Sequence, residues 1–201
     1  MNAVVKSETP LLKLDLGCGP NPREGFTGVD SIKFDNVQVV HDLRKGPWPF
    51  EDNSVSEAHC SHFLEHLTNF NDQWERVRFF NELWRIMVPA SYDAAGKAVT
   101  GFCTLIIPHW NAARYYGDPT HKEPLSEWTW YYLDKNWRAA NAPHTDIAHN
   151  PNGYSCDWNC YGFHTLHPEL QPRNTEYQNF AQKWFRDACQ DAIVTMTARK
   201  A

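Results

Sequence analysis

Two sets of residues in this chain have the types and spacing to do chemistry. The first is three aspartates, each closing a short apolar segment: Asp15 ends LLKLD, Asp30 ends Gly28-Val29-Asp30, and Asp42 follows Val37-Gln38-Val39-Val40-His41. If each segment is a strand, the three carboxylates face one crevice, and a crevice at strand ends is where an open α/β sheet binds its ligand. The second set carries imidazoles. Ser61-His62-Phe63-Leu64-Glu65-His66 forms one cluster, and His109 followed by Asp118-Pro119-Thr120-His121 forms another. Histidine is the side chain best placed to take or give a proton near neutral pH, and Asp118 with His121 could form an oriented pair of carboxylate and base. The plainer reading of that tetrapeptide is a polar turn in which Asp118 bonds its own backbone, which Pro119 favours.

A third set raises the question of a metal. Cys156, Cys160, His164 and His167 have the ligand types that zinc takes, in the order CxxxCxxxHxxH. The spacing is not that of common zinc motifs. On an extended strand the first three would share a face but spread over about 25 Å, at roughly 3.3 Å per residue. The expectation is therefore no metal, with zinc at these four residues as the alternative.

The elements that must position these groups can be read from apolar patterning. The stretch LLKLDLGCG at residues 11–19 is an apolar run that ends in an acid and breaks at Gly17 and Gly19, as a buried parallel strand does before a tight turn under a ligand. Glycine suits that turn because it lacks a Cβ, tolerating positive φ and letting a ligand lie against the backbone. Only eight residues, 20–27, separate Gly19 from Gly28, whereas a parallel crossover usually needs a dozen or more and a helix. With Pro20, Pro22 and Gly25 in that interval, the first crossover helix must be reduced or absent. Residues 55–60 read as a fourth strand behind Asp52-Asn53-Ser54. In residues 70–87 the spacing of Phe70, Trp74, Val77, Phe80, Trp84 and Met87 predicts an amphipathic helix, ended by Pro89. Residues 91–100 read as a polar loop, 101–108 as a fifth strand, and 192–199 as the last strand, paired with 154–163.

Taken in order, LDLGCGPNP, GVD, HDL, PWPFEDNSVSEAHCSHFLEHL and NELWRIMVPA resemble the S-adenosylmethionine-dependent methyltransferases with a Rossmann-like fold, in particular the broad type 11 group. The resemblance covers residues 11–108 well and the remainder loosely. It implies an α/β, doubly wound, mostly parallel seven-stranded sheet with an antiparallel last strand, and S-adenosylmethionine as cofactor. By matching positions, Asp15, Gly17, Cys18 and Gly19 would lie against the methionine part and Asp30 would take the ribose hydroxyls. Asp42 and the backbone of Leu43 would read the adenine edge, with Ser61 and His62 near the methionine amino group. Methyl transfer from a sulfonium is an in-line displacement, for which orientation alone can lower the barrier by as much as roughly 7 to 11 kcal/mol. A base is needed only when the acceptor holds a proton it cannot lose to water, and it then adds about 10² to 10⁴ in rate. The candidates for that role are His62, His109, Asp118 and His121. Glu65 and His66 are common in the family at this place, where orienting the following helix is as good an explanation as catalysis.

Length, charge and composition set bounds. The 201 residues are read as a single methyltransferase domain, 1–201, with 109–167 as a substrate-side insertion or lid. Only ten residues precede the first strand, so cover for the acceptor is expected from 109–167, which is rich in aromatics such as Trp110, Tyr115, Trp128 and Tyr132. Any one of these rings taken singly is better explained by packing a helix that begins near Ser126 against the sheet. A formal charge of −5 and a pI near 6.0 give no global attraction for nucleic acid. The segment after the fourth strand, Ser61-His62-Phe63-Leu64, also lacks the Asn/Asp-Pro-Pro-aromatic grip of amino-methylating DNA enzymes. A small metabolite or a protein side chain is the expected acceptor, with a nucleic acid or a non-catalytic S-adenosylmethionine-binding module as alternatives. No run approaches the roughly 18 apolar residues of a membrane span. The start MNAVVKSETP does not read as a secretory signal, and six scattered cysteines fit a reduced, cytoplasmic protein. Nothing in the sequence specifies an oligomeric state.

Overall fold

The computed structural model describes residues 10–71, 73–150 and 152–200. Its strands and helices run, in chain order, β1 (Leu12–Leu16), β2 (Thr27–Asp30), β3 (Val39–Val40), β4 (Val55–Ser61), α1 (Glu75–Ile86), β5 (Ser91–Tyr92), β6 (Ala98–Thr100) and β7 (Phe102–Pro108), followed by α2 (Glu127–Tyr131), α3 (Lys135–Asn141), α4 (Asp146–His149), β8 (Trp158–Leu166), α5 (Thr175–Trp184) and β9 (Cys189–Ala198). Seven strands form one sheet in the order β3-β2-β1-β4-β7-β9-β8. The neighbours from β3 to β7 are parallel, and β9 runs antiparallel to both β7 and β8. This is the mostly parallel seven-stranded α/β sheet with an antiparallel last strand that the sequence leads one to expect.

Register explains where the core lies. Leu14, Ala58, Cys103 and Met196 form one row across the sheet and Leu16, Cys60, Leu105 and Val194 the next. All eight are at most 1% exposed and share a core cluster with Phe79, Phe80, Leu83 and Ile86 of α1. Those helix positions recur at three- and four-residue spacing, so one stripe of α1 is buried, each large side chain contributing roughly 1.5 to 3 kcal/mol.

The other face of the sheet is more polar and less covered. It carries Lys13, Asp15, Glu57, His59 and Thr104, with Tyr161 and Phe163 exposed on β8. Among the described residues no helix lies between β1 and β2, as expected, and none lies between β2 and β3 or β3 and β4 either. In the first interval the loop at residues 17–26 does part of a helix's work: the Arg23 amide donates to Asp15 Oδ2 at 2.8 Å, and the Phe26 ring meets His59 edge-on at 6.5 Å.

Three local expectations need correction. The helix expected over 70–87 begins at Glu75, because Asn69 Oδ1 accepts from the Arg76 and Val77 amides while Trp74 turns through left-handed backbone at φ 49°. Phe70 is consequently exposed instead of lying on the buried stripe. Residues 91–100 are not a loop throughout, since β5 and β6 pair as an antiparallel hairpin whose turn is fixed by Asp93 Oδ1 accepting from the Ala95 and Lys97 amides. The strand expected at 154–163 lies at 158–166. Residues 154–157 tie down to α1 instead, where Asn81 Oδ1 accepts from the Ser155 and Cys156 amides.

Candidate functional site

A pocket of about 350 Å³ opens at the carboxyl ends of β1 to β4, walled by Gly17, Asp30, Asp42, Leu43, Phe63 and His66 among others. Gly17 sits at φ 68°, and a Cβ there would lie 2.6 Å from the Phe63 ring, so the turn after β1 and the tip of β4 meet only because this residue is glycine. Gly19, at φ 59°, has no atom within 4 Å of where a Cβ would stand, which leaves its backbone open to a ligand.

The three aspartates have distinct surroundings. Asp30 Oδ2 accepts from the Gly19 amide at 2.9 Å and Oδ1 from the Ile32 amide at 2.9 Å, so its carboxylate ties the first loop to β2. A carboxylate has about four acceptor sites, which leaves Asp30 capacity for a ligand's hydroxyls. Asp42 builds a local turn. Its Oδ1 accepts from the Arg44 amide at 3.1 Å and from Arg44 Nε at 2.8 Å, and this guanidinium holds the carboxyl below its usual range. Asp15 is 5% exposed and is not on the pocket wall. Its two oxygens face His59 Nδ1 at 2.8 Å and the Arg23 amide, so it shapes the loop from behind. Cys18 lies in the same loop, its thiol pushed up to about 11 by burial and by Asp15 and Asp30, and so it is neutral at physiological pH. Leu43 is buried, with its carbonyl accepting from Trp48 Nε1. Ser61 ends β4, partly exposed and off the pocket wall.

Beyond β4 the chain turns sharply. His62 takes φ 52°, unusual for a residue with a Cβ and costly by roughly 1 to 3 kcal/mol, and its amide donates to the Ile106 carbonyl at 2.8 Å. A 3₁₀ turn, Leu64–His66, follows. It buries Glu65 to 1% exposure, and among the described residues neither carboxylate oxygen has a hydrogen-bond partner. His62 Nδ1 stands 3.3 Å from Glu65 Oε1, off the line of a hydrogen bond, and His121 Nε2 stands 3.9 Å from the same oxygen.

The segment after β7 brings His121 there. A 3₁₀ turn, Ala113–Gly117, leads into residues that fold over Glu65, and the Lys122 amide donates to the Glu65 carbonyl at 2.7 Å. Asp118 is the polar turn that Pro119 favours, with Oδ1 accepting from the Thr120 amide at 2.8 Å and the Thr120 hydroxyl at 2.7 Å. Asp118 Oδ2 lies 3.8 Å from His121 Nε2, beyond a hydrogen bond; the imidazole uses Nδ1 to reach the Tyr115 carbonyl at 2.6 Å. Arg114, which pairs with Asp191 at 2.7 Å, approaches His62 Nε2 at 3.5 Å.

His62 and His121 stand beside Glu65 and Asp118 neighbours His121, so three of the four candidate bases lie together. His109 does not. It is 4% exposed, its Nε2 lies 3.2 Å from Glu127 Oε1, and its Nδ1 accepts from the Asn111 amide at 3.2 Å. That bond from His109 is the main reason the Glu127 carboxyl falls to about 2. The four candidate zinc ligands are not gathered either: Cys156 is in the core, and Cys160 and His164 lie four residues apart along β8. His164 faces Glu127 Oε1 at 3.3 Å. The aromatic residues of 109–167 are divided, with Tyr115 packing its ring 4.9 Å from His121 while Trp128, Tyr132 and Tyr154 line a separate cleft of about 430 Å³ with Trp74. Arg114 and Asp191, which meet His62 on the side away from Glu65, were not singled out from the sequence. The only local signal was the run of His62, Glu65 and His66 itself.

No protein-family profile and no curated protein matches this sequence. Its fold does match solved structures. A SAM-dependent methyltransferase from Archaeoglobus fulgidus aligns with a TM-score of 0.55 at 17% identity, over 93% of this chain and 86% of that one. YcgJ from Bacillus subtilis aligns at 0.50 and 13% identity, over 96% of this chain and 94% of that one. The [4+2]-cyclase SpnF aligns at 0.51 and 13% identity, over 95% and 76%. The chain has the Rossmann-like fold of S-adenosylmethionine-dependent methyltransferases, and a fold can host more than one chemistry.

Proposed function

We propose that this protein binds S-adenosylmethionine in the pocket at the ends of β1 to β4 and transfers its methyl group to a small metabolite or a protein side chain. The observation that carries this reading is that Gly17, Asp30, Asp42 and Leu43, all assigned to the cofactor by the sequence resemblance, line one pocket. Asp30 would accept from the ribose hydroxyls while retaining its two backbone amides. Asp42 would meet the adenine edge beside Leu43, and Gly17 with Gly19 would give the methionine part access to the backbone. When bound, the cofactor supplies an electrophilic methyl group on a sulfonium.

The chain's own contribution is then to hold an acceptor in line and to receive its proton. His62 is the base in this reading, because it stands at the tip of β4, remains partly exposed and has Glu65, Arg114 and Asp191 within 3.3 to 3.9 Å of its ring nitrogens. Asp118 and His121 wall the acceptor space, and His109 positions the start of the segment that carries them. The net charge of −5 favours a small or protein acceptor over nucleic acid. Six free cysteines suit a reducing compartment, so a cytoplasmic location belongs to the proposal. No helix among the described residues is long and apolar enough to cross a membrane.

Calorimetry with S-adenosylhomocysteine tests the binding half. The wild type should bind, and Asp30→Ala should weaken binding roughly 10- to 150-fold, equivalent to about 1.5 to 3 kcal/mol of charge-assisted hydrogen bonding. A folded wild type that does not bind overturns the cofactor assignment, whereas an unchanged Asp30→Ala overturns the ribose role.

A further inference from the structure

The geometry points to a divalent transition-metal site formed by Glu65, His66 and His121. One carboxylate oxygen and one nitrogen from each imidazole lie within 4.8 Å of one another. Two further observations indicate that this is a ligand set and not only a polar cluster. The first is Glu65 itself, a carboxylate buried to 1% exposure with both oxygens lacking a hydrogen-bond partner among the described residues. A buried carboxyl whose oxygens have no hydrogen-bond partner is costly to a fold, and a bound cation removes that cost.

The second is the proton arrangement of the imidazoles. His121 Nδ1 faces the Tyr115 carbonyl at 2.6 Å, and a carbonyl can only accept, so Nδ1 carries the proton. Nε2, 3.9 Å from Glu65 Oε1, is left with its lone pair toward the carboxylate. The Thr120 hydroxyl gives its single hydrogen to Asp118 Oδ1 at 2.7 Å, so its oxygen, 3.0 Å from His66 Nδ1, accepts a proton held on that nitrogen. Nε2 of His66 is then bare as well. His66 and His121 thus each keep one nitrogen free to ligate beside the Glu65 carboxyl, whose other polar neighbour is His62 Nδ1 at 3.3 Å. Metal-binding histidines characteristically donate their other N–H to a carbonyl or carboxylate in this way, which fixes the tautomer that can ligate.

Two imidazoles and one carboxylate suit a first-row divalent ion such as Zn²⁺, Mn²⁺ or Fe²⁺ better than Mg²⁺ or Ca²⁺, which prefer all-oxygen shells. Three protein ligands leave at least one position for an oxygen, water in the resting protein. Since His66 also lines the pocket assigned to the cofactor, that position adjoins the place where an acceptor oxygen would be held. This use of the ion rests on the methyl-transfer reading; binding of the ion does not.

The test is metal binding by the full chain, stripped with chelator and titrated with Zn²⁺ and with Co²⁺, whose visible spectrum reports nitrogen and oxygen coordination. One ion per chain is expected. His121→Ala and His66→Ala should each weaken it more than about 100-fold, and Thr120→Val roughly 10- to 100-fold through the orientation of His66. Glu65→Gln should also lose the ion while keeping its fold, and the two histidine variants test the site independently of it. His164→Ala is the control, because His109, His164 and Cys189 form a second group of ligand types. Failure of the wild type to bind either ion overturns the proposal, as does binding that survives His121→Ala or that is lost only in His164→Ala. Ion binding without methyl transfer would leave the site standing and remove the proposed function.

Discussion

The tips of β1 and β2 and the tip of β4 treat buried or half-buried carboxylates in opposite ways. Asp15 and Asp30 are given donors by the chain itself: His59 and the Arg23 amide for one, the Gly19 and Ile32 amides for the other. Asp42, beyond β3, adds Arg44 to that pattern. Glu65, past the tip of β4, is more deeply buried than any of them and has no such donor among the described residues. A carboxylate that accepts backbone amides is part of the scaffold, whereas one left bare in the interior is complete only when something else arrives. The contrast separates a half of the crevice where loops replace the missing first helix and satisfy the acids from a half where the buried carboxyl is left without a hydrogen-bond donor.

That comparison can be broken by substitution. The largest effect is expected for Asp15→Ala, which strands the His59 ring and the Arg23 amide in a buried place and should cost about 3 kcal/mol of stability in urea unfolding. Gly17→Ala comes next, at about 1 to 3 kcal/mol, because it puts a Cβ into left-handed backbone and against the Phe63 ring that joins the two halves. Its affinity for S-adenosylhomocysteine should fall with its stability. The smallest effect, and of opposite sign, is expected for Glu65→Gln in metal-free protein: unchanged or stabilised by up to about 1 kcal/mol, since a buried carboxyl without donors is replaced by an amide of the same shape. A loss for Glu65→Gln as large as that for Asp15→Ala would show that the two halves are not different in kind.

How much of this was legible in the sequence follows the same division. The strand-end acids could be read because each is local: an apolar run, an acid, then Gly17 and Gly19 or a turn. The mostly parallel sheet with its antiparallel last strand followed from the family resemblance those motifs carry, and the missing first helix from spacing, since eight residues cannot hold a full crossover. The Glu65 cluster could not be assembled, because Thr120 and His66 meet across 54 positions of sequence and nothing in either segment names its partner. Asp118 and His121 were recognised as chemical groups but not as neighbours of His62, while His109 had the same appearance in sequence and went to Glu127. The β5–β6 hairpin escaped notice because two- and three-residue strands have too few positions to show alternation. The start of α1 was misplaced because Phe70 and Trp74 keep a helical spacing although Asn69 caps the helix only from Glu75.

The central claim is that both halves serve one crevice, with the cofactor on the Asp30 side and the acceptor on the Glu65 side. A crystal structure with S-adenosylhomocysteine bound tests it most directly. The account predicts the ribose on Asp30, the adenine beside Asp42 and Leu43, and the sulfur directed toward His62, His66 and Glu65. A structure with the ligand in another cleft, or with its sulfur facing away from Glu65 and the space beyond it closed by other residues, would contradict it.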